Sequence, residues 1–119
     1  MNNRIVLSLH NEMYVIHCDK VLYMQADDHY THIVYISGAK FMVPFGLSEL
    51  EKRIGSVMPD AKFLVRFGRK YIINMRHVFH VNTVRQVVVL TDGNGNNISV
   101  LLPKNILRNI IDAISNPDG

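Results

Sequence analysis

Apolar residues along this chain come in short runs separated by turn-forming residues, the pattern of many brief strands. Ile5-Val6-Leu7-Ser8-Leu9 and Met13-Tyr14-Val15-Ile16-His17 flank His10-Asn11-Glu12, which predicts a first hairpin. After a turn at Cys18-Asp19-Lys20, the nearly unbroken apolar stretch from Val21 to Ala26 predicts a strand packed on both faces. Thr31 to Ile36 and Lys40 to Pro44 enclose Ser37-Gly38-Ala39 and predict a second hairpin. Pro44 has no N–H to give a neighbouring strand, so it should end its own strand or lie at an edge.

The period then changes. Ser48 and Glu51 have the spacing of a capping box, Leu50 and Ile54 share one helical face, and Gly55 is placed to stop the helix after about two turns. Strands resume with Phe63 to Phe67 and Tyr71 to Asn74 around a corner containing Gly68, then Met75 to Asn82 and Val84 to Leu90. Asp92-Gly93-Asn94-Gly95-Asn96 is a hairpin loop, with Asn97 to Leu102 returning from it. Pro103 suits the first position of a closing helix, along which Ile106, Leu107, Ile110, Ile111 and Ile114 recur at helical spacing. Asn116-Pro117 should stop that helix and leave a frayed tail. The expectation is a mainly β domain of short antiparallel strands with two helices, one domain over 1–119 with a core of about 5–114. Strand spacing alone does not distinguish a stack of small sheets from a sandwich or barrel.

Charge sharpens this picture. The formal net charge is only +3, yet from Ala61 to Thr91 there are six Lys or Arg and no Asp or Glu. Arg66, Arg69 and Lys70 crowd the corner at Gly68, a candidate contact for a polyanion. A solvated turn would look similar, and Arg66 could instead pair with Asp60 or a helix glutamate. The single cysteine, Cys18, excludes an internal disulfide framework and suits a reducing cytoplasm. No apolar run reaches the length of a membrane span, and nothing resembles a secretory leader.

Two motifs in order carry a family resemblance. Arg66-x-x-Arg69-x-Tyr71-Ile72-Ile73-Asn74 resembles the signature of the LytTR family of bacterial DNA-binding domains. Val21-Leu22-Tyr23-Met24-Gln25-Ala26-Asp27-Asp28-His29-Tyr30 looks like that family's earlier strand, and Leu47-Ser48-Glu49-Leu50-Glu51 lies where it has a short helix. The resemblance implies an elongated stack of small antiparallel sheets, with a short helix after the fourth strand, a C-terminal helix, and loops along one side reaching DNA. It implies three contact regions. Thr31 occupies a base-contact position with His29 and His32 beside it. Arg69 occupies the second, between Arg66 and Lys70. At the third, the exit of the last strand, the family usually has Ser-Arg, but Leu101-Leu102-Pro103 stands here and the nearest cation is Lys104. The corner departs too, with Gly68 in place of histidine and Lys70 in place of serine. Arginine at position 102 is accordingly expected to tighten specific binding, and Arg85, outside the contact positions, to matter less than Arg69.

Other chemistry finds little support in the residues. His29 and His32, like His77 and His80, are three apart, which on a strand sends them to opposite faces, and no second cysteine completes a zinc set. Asp27 and Asp28 are adjacent and read as a turn, not an acid–base pair. There is no nucleophile elbow or phosphate-binding glycine loop, so neither an enzyme, a metal nor a cofactor is expected. The expected partner is double-stranded DNA at direct-repeat sites, bound by a weak or DNA-dependent homodimer that serves as a transcription regulator or its output domain, with a regulatory domain or protein outside this chain. A protein-interaction module of the same fold with weak, non-specific binding is the alternative. Single-strand binding through Tyr30, Phe67 and Tyr71 would require those rings to be exposed together.

Overall fold

In a computed structural model that describes residues 3–116, ten strands form three antiparallel sheets and two helices close the body. The first hairpin, β1 (Arg4–Leu9) with β2 (Glu12–His17), is a sheet of its own. Five strands make the central sheet: β3 (Val21–Asp27), β4 (Tyr30–Tyr35), β5 (Lys40–Val43), β6 (Leu64–Phe67) and β7 (Tyr71–Asn74), in the order β5-β4-β3-β7-β6. The third sheet is β8 (Val78–Asn82), β9 (Val87–Thr91) and β10 (Asn97–Leu101), with β9 in the middle. Helix α1 spans Leu47–Val57 and α2 spans Lys104–Ser115; α1 follows the fifth strand and not the expected fourth, because both hairpins and β3 precede it. The body measures 46 × 30 × 28 Å, the elongated stack that the strand pattern alone left undecided.

Each face of the central sheet has its own core, as side-chain alternation requires. Met24, Ile33, Val43 and Ile72 pack with Ile5, Leu7 and Ile16 of the first hairpin and with Leu47, Leu50 and Ile54 of α1. Leu22, Tyr23, Val34 and Ile73 pack on the opposite side with Val88, Leu90 and Val100 of the third sheet and Ile106, Leu107 and Ile110 of α2. Strand β3 feeds both cores, as its unbroken apolar run predicted. Its pairing with β4 slips by one residue between Val21 and Tyr23, a bulge that sends both Leu22 and Tyr23 into the second core.

Local chemistry sets the boundaries. Strand β5 stops before Pro44 as expected. Asn74 is buried, accepts the Arg76 amide at 3.0 Å and donates to the Val21 carbonyl at 2.8 Å. That acceptance folds Met75–His77 into a 3-10 turn, so β8 starts later than the expected strand at Met75. The Asn82 side chain likewise accepts the amides of Val84 and Arg85, turning 83–86 into a loop and delaying β9 to Val87.

Two expectations for α1 need correction. Gly46 is its N-cap, and Ser48 and Glu51 make no capping box. Nor does Gly55 end it. The helix continues to Val57 because Ile54 and Met58 are buried on one side while Gly55 faces open space. In α2, Pro103 is the N-cap and not the first helical residue, and Asn116 is the C-cap. The expected tail after it lies outside the described residues.

Candidate nucleic-acid interface

Antiparallel pairing gathers three separate pieces of chain at one end of the central sheet. Gln25 of β3 pairs with Tyr71 of β7, and Asp27 with Tyr30 of β4, so the Asp28-His29 turn and the Gly68-Arg69-Lys70 turn emerge together. The Lys70 carbonyl accepts the Ala26 amide at 2.7 Å and ties the second turn to β3. The third piece is the start of α2. A Cβ built on Gly68 would lie 3.0 Å from Ile106 Cδ1, so the first turn of the helix rests against this corner. Gly68 itself has φ +66°, a conformation glycine adopts without strain.

Arg66 holds the corner in shape. Its Nε donates to the Gly68 carbonyl at 3.1 Å and its Nη2 to the Arg69 carbonyl at 3.1 Å. Its Nη1 donates to Ser48 Oγ at 2.9 Å and pairs with Glu51 Oε1 at 3.0 Å. The side chain is 19% exposed, with its donors directed inward. Of the two readings the sequence left open, the ion pair with a helix glutamate is the one formed here, and Arg66 braces the turn. It also explains the missing capping box, since Ser48 and Glu51 both face the guanidinium.

With their carbonyls held, Arg69 and Lys70 are exposed, and no hydrogen bond or ion pair among the described residues engages either side chain. Lys104 is exposed in the first turn of α2. The first α2 amide to find a helical partner is that of Leu107, donating to Pro103 at 3.1 Å, so the amides before it add partial positive charge beside Lys104.

The remaining predicted residues divide. Thr31 is fully buried, on the face it shares with Ile33, and its hydroxyl donates to the Phe45 carbonyl at 2.8 Å. It supports the strand start and, as placed, presents nothing to a partner; even-numbered spacing from Ile33 was the available signal. His29 is 91% exposed at the tip of its turn, 3.6 Å from Asp28. His32 sits on the other face of β4, 2.9 Å from Asp27, in an open hollow that Gln25, Lys40 and Lys70 also line. These two carboxylates are the counter-charge at an otherwise cationic end.

The acid-free segment is not one patch. Arg76 stacks over the Phe63 ring at 4.2 Å beside the far end of β6, where the Met75 amide donates to the Phe63 carbonyl. The single-strand platform does not form either: Phe67 is buried and Tyr71 partly so, leaving Tyr30 as the exposed ring of the three. No cluster of three or more metal-binding side chains occurs among the described residues, and no described helix is long and apolar enough to cross a membrane.

Exposed cations held on turns and at a helix start of a β scaffold suit a polyanionic partner. The profile of the LytTr DNA-binding domain family matches residues 11–110, and the chain belongs to that family. Among solved structures it is similar to the LytTr DNA-binding domain of a protein described as a methyl-accepting/DNA response regulator from Bacillus cereus. The TM-score is 0.56 at 18% identity, covering 93% of this chain and 98% of that one, which supports the fold. No curated protein matches the chain.

Proposed function

We propose that this domain binds duplex DNA sequence-selectively as a bacterial transcription regulator or its output domain, with Arg69 reading a base and Lys70, Lys104 and His29 seated near phosphates. The observation that carries this is the convergence of Arg69, Lys70 and Lys104, cations without partners, at one end of the central sheet. Arginine can grip a guanine edge with two parallel donors, whereas lysine attracts phosphate as a mobile point charge. Arg69 therefore discriminates, and Lys104 contributes mainly attraction. Occupation of direct repeats by a weak or DNA-dependent pair, control by a regulatory domain or protein outside this chain, and a cytoplasmic location complete the reading.

Enrichment of a random duplex library on the purified chain, followed by binding measurements on the enriched site across salt concentrations, tests it. Two lysines at phosphates predict a log–log salt slope of about −2. Arg69→Ala should cost about 1–3 kcal/mol on the enriched site and relax one base position. Lys104→Ala should weaken enriched and random duplexes by similar factors. Affinity that is flat in salt, or a library from which nothing is enriched, would refute the proposal.

A further inference from the structure

A second arginine, outside the positions expected to touch DNA, is delivered to the same end of the molecule. The turn between β8 and β9 runs alongside the exit of β10: Val87 pairs with Leu101, and the Gln86 carbonyl accepts the Leu102 amide at 3.0 Å. Two residues further on is Lys104, and Ile106 beyond it rests on Gly68. The turn is firmly built. Asn82 Oδ1 accepts the Val84 amide at 3.1 Å and the Arg85 amide at 3.0 Å, and Gln86 holds the left-handed conformation at φ 58°.

This turn presents an apolar and a cationic side chain side by side. Val84 is 87% exposed, the most exposed large apolar side chain among those described, and nothing in the fold uses it. Arg85 beside it is exposed, and among the described residues its guanidinium has no hydrogen bond or ion pair. An isolated β-branched residue fully in water lowers no folding free energy, whereas a rigid tip pairing a methyl-bearing side chain with a planar five-donor fork matches two features of a major-groove edge. Guanine offers two acceptors to a guanidinium, and thymine offers a methyl group to an apolar side chain.

We propose that the Val84–Arg85 tip is a base-reading element, with Arg85 gripping a guanine and Val84 packing on an adjacent thymine methyl in the major groove. The inference rests on the DNA-binding reading above. It gives the strand-exit region a discriminating residue that Lys104 cannot be. It also revises the expectation that Arg85 is a bystander to Arg69.

The test uses the full chain and its own enriched duplex. Wild type, Arg85→Ala, Arg85→Lys and a far-end control, Lys62→Ala, are compared on that duplex and on a scrambled one, with melting curves to confirm that the exposed tip leaves folding intact. Arg85→Ala should lose about 5- to 150-fold on the enriched duplex and far less on the scrambled one, the range expected of a bidentate base contact. Arg85→Lys should keep the scrambled affinity without restoring selectivity, and Lys62→Ala should change neither. Replacing each thymine of the site by deoxyuridine should weaken wild type at one position and leave Val84→Gly indifferent there. If wild type binds selectively and Arg85→Ala lowers both duplexes equally, or neither, the tip does not read bases. If wild type binds no duplex at all, the DNA-binding reading falls first, and this inference with it.

Discussion

Removing the Arg66 side chain separates a brace from a contact more cleanly than any other substitution. Its four bonds link the carbonyls of Gly68 and Arg69 to Ser48 and Glu51, so Arg66→Ala frees the turn and uncouples β6 from α1. Water reaches several of these partners, and Glu51 is 52% exposed, so each bond deserves the low end of the usual range. At about 0.5–1 kcal/mol apiece, the four together come to about 2–4 kcal/mol. For a domain of this size that is a sizeable share of total stability and a melting temperature lowered by on the order of 10 °C. Urea and thermal unfolding would measure it. Glu51→Gln should recover most of the wild-type value, because the carbonyl bonds remain. Affinity for DNA should fall as the turn loosens, while the salt slope stays constant, since no phosphate-bound cation has been removed. A variant that melts like wild type but whose slope shrinks by about 0.9 would show that Arg66 touches phosphate, and the brace argument would be wrong.

Thr31→Val keeps the shape but leaves the Phe45 carbonyl without its donor, so about 1 kcal/mol of stability should go while DNA affinity stays put; lost affinity at unchanged stability would return Thr31 to the contact surface. Burial pushes the Cys18 thiol up from 9.0 to about 11, so native protein should react slowly with thiol reagents at pH 8 and rapidly once unfolded. Because the folded value is the raised one, its contribution is whole below pH 9, declines as pH climbs from there and is gone above about 11; Cys18→Ala should flatten that alkaline decline and keep DNA binding. Leu102→Arg, expected from sequence to tighten binding, should instead unfold or severely destabilise the domain, because Leu102 is 2% exposed in the second core. Leu101→Arg, at a position 73% exposed, is the substitution that can add a cation there, and unfolding curves of the two variants distinguish the positions.

What could be read in the sequence was governed by local periodicity. The first two hairpins, the two-faced strand β3, the Pro44 stop and the corner at Gly68 follow from alternation and turn residues acting over a few positions. The misreadings share a cause: a partner distant in sequence outweighed the local preference. Ser48 and Glu51 look like a capping pair until a guanidinium from fifteen or more residues away claims them both. Gly55 looks like a terminator until burial of Ile54 and Met58 carries the helix past it. Arg66 was the one cation of the corner for which the sequence offered an ion pair, and the fold is what chooses Glu51 over Asp60. That the turn carrying Arg85 runs beside the exit of β10 is likewise reported by no local pattern.

The contact between Gly68 and Ile106 bears on how such a domain can change over time. The turn that carries Arg69 and the helix that carries Lys104 touch where any side chain on residue 68 would start 3.0 Å from the isoleucine, on a backbone already in a glycine conformation. The histidine that the family resemblance puts at this corner therefore carries two costs, a left-handed backbone and a displaced Ile106 methyl. A smaller residue at 106 removes the second cost and leaves the first. A specificity loop transplanted onto this corner would therefore meet the first turn of the closing helix through Ile106.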